Sequence, residues 1–205
     1  HYAQMYSYTD IIKHHPHTLD LVSMLLGDPK PRWVEGRLVQ PGERLAANAT
    51  ERPRAYPLYD ADRHAFIPPT GEEIADPMVD FFRVGYEGGA EGHFLPVPGL
   101  FDIEVYGSEG RAFAWDNGET LCIRRYNRQQ SSVDERTTRP QGASPTVCTI
   151  RDIIREIETG EPTAGNIDIT MQSVEVQFGL AHSHLQEGRR VALPVADRSL
   201  YIPGG

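Results

Sequence analysis

The stretch Lys13-His14-His15-Pro16-His17-Thr18-Leu19-Asp20-Leu21-Val22-Ser23-Met24-Leu25-Leu26-Gly27-Asp28-Pro29 sets a polar, titratable cluster directly on the start of a short apolar helix. Pro16 suits the first helical position, because a helix start leaves its N–H groups unpaired in any case and the ring fixes φ near the helical value. The same ring pushes His15 toward an extended conformation. Gly27 followed by Pro29 supplies the stop. His17 thus falls in the first turn, where the unpaired backbone N–H groups make a partial positive charge that suits a neutral base or hydrogen-bonding group. Read from the residues alone, a capping or core histidine is the commoner role for His17, with a catalytic base as the alternative.

Outward from this helix the pattern is that of a sheet. Trp33 to Val39 reads as a strand, residues 40–75 as a long excursion rich in proline, glycine and charge, with a short strand at His64 to Ile67. Met78 to Tyr86, Gly92 to Val97, Phe101 to Tyr106, Arg111 to Trp115 and Thr120 to Tyr126 follow as closely spaced strands bounded by Gly, Pro or Asn, and Asn117-Gly118 is the clearest hairpin signal. Such spacing predicts an antiparallel meander. Asn127 to Pro145 is polar without apolar period and reads as a loop or arm. Two helices then close the chain. The first is capped by Thr149 with Ile150, Ile153, Ile154 and Ile157 as a buried stripe, and the second starts near Asp168 with Met171, Val174, Phe178, Ala181 and Leu185 on one face. The expected fold class is α+β, an open-faced sandwich of a mostly antiparallel sheet with helices on one face. The uncovered face, with Phe81 and Val79, is expected to be flat and apolar and to mark a subunit contact, hence a homo-oligomer; a polar face in a monomer is the alternative.

Composition narrows the partners. The chain has 205 residues, 39% hydrophobic and 24% charged, enough for one domain with a substantial core. Its 20 Lys plus Arg stand against 29 Asp plus Glu, a net charge of −9 with no basic stripe, so nucleic acid and anionic membrane surfaces are poor partners. No run approaches a membrane span and His1 opens no signal peptide, so a cytoplasmic location is expected. Cys122 and Cys148 suggest neither a disulfide framework nor a zinc site, and reduced thiols are the default. His14, His15 and His17 invite a metal reading, but Pro16 breaks the i, i+4 geometry and no nearby residue completes a ligand set, so no metal is expected. His182, His184, Arg189 and Arg190 read as surface or helix-end charges.

The run His17-x-x-Asp20 followed by Leu25-Leu26-Gly27-Asp28-Pro29 resembles the His-x-x-Asp plus Leu-Leu-Gly-x-Pro segment in the C-terminal domain of the Gfo/Idh/MocA oxidoreductases. Further matches keep the family's order: Asp76 opening a strand pair closed by Glu87-Gly88-Gly89-Ala90; Glu104-Val105-Tyr106-Gly107-Ser108-Glu109-Gly110; the helix at Ile150–Ile157 with Gly160 and Pro162; and Gly188-Arg189-Arg190-Val191-Ala192-Leu193-Pro194. No one match is specific; the ordered set over nearly the whole chain is.

The resemblance implies that residues 1–205 are the C-terminal substrate-binding and oligomerisation domain of a larger oxidoreductase, acting with NAD or NADP on a sugar, cyclitol or related polyol. The family's nucleotide-binding domain, with its G-x-G-x-x-G turn and Glu-Lys-Pro lysine, is missing from this sequence. Gly85-Tyr86-Glu87-Gly88-Gly89 lies between strand-like runs and opens no helix, so this chain alone is expected to bind no dinucleotide. The resemblance makes His17 the catalytic proton-transfer residue, and Lys13, His14 and Tyr8 are read as substrate contacts; Tyr6 and Tyr8 fit a sugar pocket through their hydroxyls and equally a domain seam. Lys13 departs from the family, which often carries aspartate there, and leaves open a solvated lysine or an altered paralogue. Asp20 reads as structural. Two other classes stay open: a relative using nicotinamide transiently to cleave glycosides, and a non-catalytic binding or assembly subunit.

Overall fold

Val34 and Val84 oppose one another across two paired strands, β2 (Pro31–Leu38) and β5 (Val79–Tyr86), and neither exposes any surface. The computed structural model describes residues 2–6, 10–39, 58–60, 65–67, 76–96, 101–127, 129, 131–139, 141–198, 200 and 202. From the β2–β5 pair the sheet grows in both directions to nine strands, in the order β10-β9-β8-β7-β1-β6-β5-β2-β11. The remaining members are β1 (Tyr2–Tyr6), β6 (Glu91–Leu95), β7 (Asp102–Gly107), β8 (Gly110–Trp115), β9 (Thr120–Asn127), β10 (Ser132–Thr138) and β11 (Val191–Ala192). All neighbours are antiparallel except β1 and β6. Two short strands, β3 (Leu58–Asp60) and β4 (Ala65–Ile67), pair separately. The β8–β9 turn uses left-handed Asp116, Asn117 and Gly118, as the Asn-Gly signal predicts.

Among the described residues three α-helices complete the α+β fold: α1 (His15–Leu26), α2 (Pro145–Thr159) and α3 (Ile167–Leu185). Period two along each strand sends Ala3, Val34, Phe82, Val84 and Phe94 to one face, where they meet Leu19 and Val22 of α1 and Val176, Leu180 and Ala181 of α3. Each large apolar side chain so buried contributes roughly 1.5–3 kcal/mol. Gly179 sets the closeness of α3 to β2: a Cβ there would lie 2.6 Å from Val34 Cγ1. Helix α1 ends on left-handed Gly27, whose N–H donates to Met24 O while Asp28 N–H donates to Ser23 O.

Several expectations are corrected. The polar segment after Asn127 contains a strand, β10, because edge strands need no apolar period when cross-strand pairs such as Arg124–Glu135, 2.8 Å apart, support them. Strand β1 escaped the sequence pattern altogether, and it breaks the expected antiparallel meander: it enters between β6 and β7, parallel to the first and antiparallel to the second. Ser144, not Thr149, caps α2, its hydroxyl accepting from Val147 N–H; Thr149 Oγ1 instead donates to Pro145 O. Most consequentially, α2 buries no residue in this chain: Ile150, Ile153, Ile154 and Ile157 are 52%, 47%, 47% and 79% exposed. On α3 the buried face runs through Ser173, Val176, Gln177 and Leu180, while Met171 is exposed, because that helix packs on β2 and α1 together.

The open face is also not the flat apolar patch expected. A bulge at Asp80, where Arg37 pairs with Phe81 but Leu38 with Val79, turns Val79 inward and leaves Phe81 outward. The rest of that face is aromatic and charged. Trp33 lies under Arg190 at 3.6 Å, Glu35 accepts from Arg83 and from Arg190, and Tyr2 stacks on Tyr106 with the His93 ring at its edge. His182 and His184 are tied in rather than solvated: His182 Nε2 bonds Asp197 O at 3.1 Å, and Leu38 N–H donates to His184 Nδ1 at 3.2 Å. Among the described residues no helix is long and apolar enough to cross a membrane.

Candidate active site at the start of α1

The chain enters α1 through a turn at residues 11–14, and that turn is pinned from elements distant in sequence. Ile11 is fully buried, donates its N–H to Pro77 O at 3.0 Å, and has its carbonyl bonded by the Gln177 side-chain amide from α3. Asp76 does more. Its carboxylate accepts from Ile12 N–H at 3.0 and 3.1 Å and from Lys13 N–H at 2.8 Å. Burial pushes the Asp76 carboxyl above the usual carboxylate range; these two N–H groups and the Lys13 charge pull the other way, and the neighbouring Asp10 carboxylate adds to the rise.

The three histidines separate on this frame. His15, the first residue of α1, is swallowed by the core at 1% exposure, its ring edge on Phe82 at 5.2 Å and Phe94 at 6.2 Å. Thr18 Oγ1 donates to His15 O and sits 2.9 Å from His15 Nδ1, so Nδ1 carries the proton. Nε2 is buried with no hydrogen-bond partner. Burial, the largest effect, pulls its pKa down to about 4; Asp10 opposes this and His14 adds to it. His15 is thus a neutral structural histidine. His14 and His17 are exposed. His14 Nδ1 bonds the carboxylate of Asp10, four residues earlier, whereas the His17 imidazole makes no hydrogen bond or ion pair among the described residues, its backbone N–H alone donating to His14 O at 3.1 Å.

Lys13 is fixed by its backbone and presents an exposed side chain beside this pair. Sequence reading thus gathered three of its site residues, Lys13, His14 and His17, into one turn. Tyr8 and the side chain of Tyr6 lie outside the described residues. Asp20 has the structural role expected of it, its carboxylate accepting from Ser173 Oγ and joining α1 to α3. Asp10, Asp76 and Gln177 were missed as site residues. Only the first had a local signal, the i, i+4 spacing of Asp10 and His14; the others are joined to the turn by the fold alone.

No group of three or more His, Cys, Asp or Glu side chains that could hold a metal occurs among the described residues. Gly88 and Gly89 are left-handed in the turn from β5 to β6, with no helix opening there, and the Trp33 indole covers Gly85 so closely that a Cβ would lie 2.0 Å from it. A pyrophosphate has no helix N-terminus to rest on at this turn. A cavity of about 560 Å³ at the β9–β10 end, lined by Glu109, Arg125, Tyr126 and Asp134 among others, includes no residue of the α1 turn.

No protein-family model matches the chain, and no curated protein matches it in sequence. Solved structures do share its fold. A UDP-N-acetylglucosamine 3-dehydrogenase from Acidithiobacillus ferrooxidans is 13% identical with a TM-score of 0.60, over 90% of this chain and 56% of that one. An aldose-aldose oxidoreductase from Caulobacter crescentus, complexed with glycerol, is 14% identical with a TM-score of 0.57, over 94% and 55%. The transcriptional regulator Gal80p from Kluyveromyces lactis is 12% identical with a TM-score of 0.53, over 91% and 48%. The chain therefore spans about half the length of the structures it matches.

Proposed function

We propose that this chain is the substrate-binding and oligomerisation portion of a nicotinamide-dependent oxidoreductase acting on a sugar, cyclitol or related polyol. The observation that carries the reading is the exposed Lys13, His14 and His17 cluster, held rigid by Asp76 on a fold whose solved neighbours include two sugar oxidoreductases. An imidazole so placed takes or returns a hydroxyl proton, and an ammonium beside it binds a hydroxyl-rich or anionic substrate. The motif match assigns the proton transfer to His17 and substrate contact to Lys13, His14 and Tyr8. NAD or NADP would be held by a nucleotide-binding domain outside this sequence, since the glycines here do not fit a pyrophosphate.

The aromatic and charged open face, with its Trp33–Arg190 and Tyr2–Tyr106 stacks, suits a specific homo-oligomer contact, being rich in the residue types that anchor interfaces. The test is spectrophotometric assay of the full-length protein with NAD and NADP against a panel of aldoses, cyclitols and nucleotide sugars. Turnover that disappears when His14 and His17 are both replaced by alanine supports the reading; absence of turnover across the panel overturns it. The Gal80p neighbour favours a second reading, a binding or assembly subunit without catalysis. Ligand binding without turnover would identify it.

A further inference from the structure

Proton transfer requires more than a histidine in the right turn. The ring must be held with one nitrogen facing the reacting group, and its tautomer must be set by whatever the other nitrogen bonds. Of the two exposed imidazoles on the α1 turn, one meets that requirement. His14 Nδ1 is bonded to the Asp10 carboxylate, and an ionised carboxylate is acceptor-only, so Nδ1 carries the proton and Nε2 is left as the lone-pair nitrogen. Asp10 is itself immobilised by its bridge to Met78, the residue before β5. The next carboxylate in the chain of support, Asp76, fixes the backbone between the two through Ile12 and Lys13. The exposed His17 ring has no such partner among the described residues.

We propose that His14, oriented by Asp10, is the proton-accepting residue of this site, and that His17 is a neighbouring substrate contact. This rests on the reading of the α1 turn as an active site. In the step assigned to it, the hydroxyl proton of a bound substrate passes to His14 Nε2, the O–H bonding pair stays on the substrate oxygen, and the resulting imidazolium is stabilised by the Asp10 carboxylate across the Nδ1–H bond. In the reverse direction Nε2 returns the proton. Asp10 is a positioning residue, since it touches the ring and not the substrate. The charged or titratable groups that interact with this pair are Asp76, with Asp10, and His15, buried and neutral, with both Asp10 and His14.

Two measurements on the full-length protein decide it. The first needs no turnover: long-range proton–nitrogen spectra of protein labelled with 15N-histidine, assigned with the His14→Gln and His17→Gln variants. His14 as the Nδ1–H tautomer in the parent, reverting to the Nε2–H form usual for free imidazole in Asp10→Ala, which removes the acceptor, is the expected result. An Nε2–H tautomer at His14 in the parent overturns the proposal. The second is chemical rescue: added imidazole should restore turnover to His14→Gly and leave His17→Gly unchanged. Rescue of His17→Gly alone, or full activity in His14→Gly, overturns the proposal while leaving the oxidoreductase reading intact. A parent protein without turnover fails that reading instead, and with it this one.

Discussion

Asp76 accepts the backbone N–H of Lys13 at 2.8 Å across 63 residues of sequence, so the carboxylate at the entry to β5 fixes the loop that presents the candidate site. Replacing Asp76 by alanine leaves the Ile12 and Lys13 N–H groups without this acceptor. Hydrogen bonds to a charged group are worth about 1.5–3 kcal/mol, so Asp76→Ala should cost about 3 kcal/mol in a urea titration, with Asp76→Asn losing less because its amide oxygen still accepts. An alanine variant as stable as the parent would show that water replaces the carboxylate.

His15 should make the fold acid-sensitive. Its imidazole titrates near 6.5 when unfolded and at about 4 in the core. Between those values the unfolded chain binds a proton that the folded chain refuses, so stability falls as pH drops through that window and levels off below it. The loss attributable to His15 is about 3 kcal/mol. Denaturation midpoints followed from neutral pH to near pH 4 check this. His15→Phe, which keeps an aromatic edge toward Phe82 and Phe94 and cannot titrate, should flatten the slope.

Gly85 is required by the indole above it. A Cβ there would lie 2.0 Å from Trp33 Cε2, so Gly85→Ala must push Trp33 off the sheet and away from Arg190, now 3.6 Å over its ring. The expected cost is about 1–3 kcal/mol, with a red shift of Trp33 emission read in a Trp115→Phe background. Emission identical to that background would mean that the sheet, and not the ring, gives way.

The bare stripe of α2 separates isolated chain from assembly. Ile157 is 79% exposed, so Ile157→Glu should change folding free energy by no more than about 0.5 kcal/mol, as surface substitutions do. A melting curve that drops strongly and depends on protein concentration would instead place this stripe in a subunit contact.

What the sequence determined was local. The α1 start and stop, the individual strands from Val79 to Asn127, the Asn117-Gly118 turn and the grouping of Lys13, His14 and His17 follow from residues within a few positions of each other, whereas the unbroken meander expected from the strand spacing does not form, because β1 enters between β6 and β7. Pro16 and Gly27 act through their own backbone angles, and strand alternation needs only a nearest-neighbour period. The tertiary structure decided whatever depended on a neighbour distant in sequence. Strand β1 is a strand because β6 and β7 supply its hydrogen bonds, and β10 because β9 does. The Asp80 bulge chose which of Val79 and Phe81 entered the core. A periodic apolar stripe says that a helix has a face to bury but not what lies opposite, which is why α2 read as buried and stands bare. The same limit governed the histidines. Sequence reading assigned different roles to His14 and His17 but marked none of the three histidines as buried or carboxylate-paired; only the placement of Phe82, Phe94, Asp10 and Asp76 made His15 a core residue and His14 an oriented one, because burial and carboxylate contact are properties of position in space.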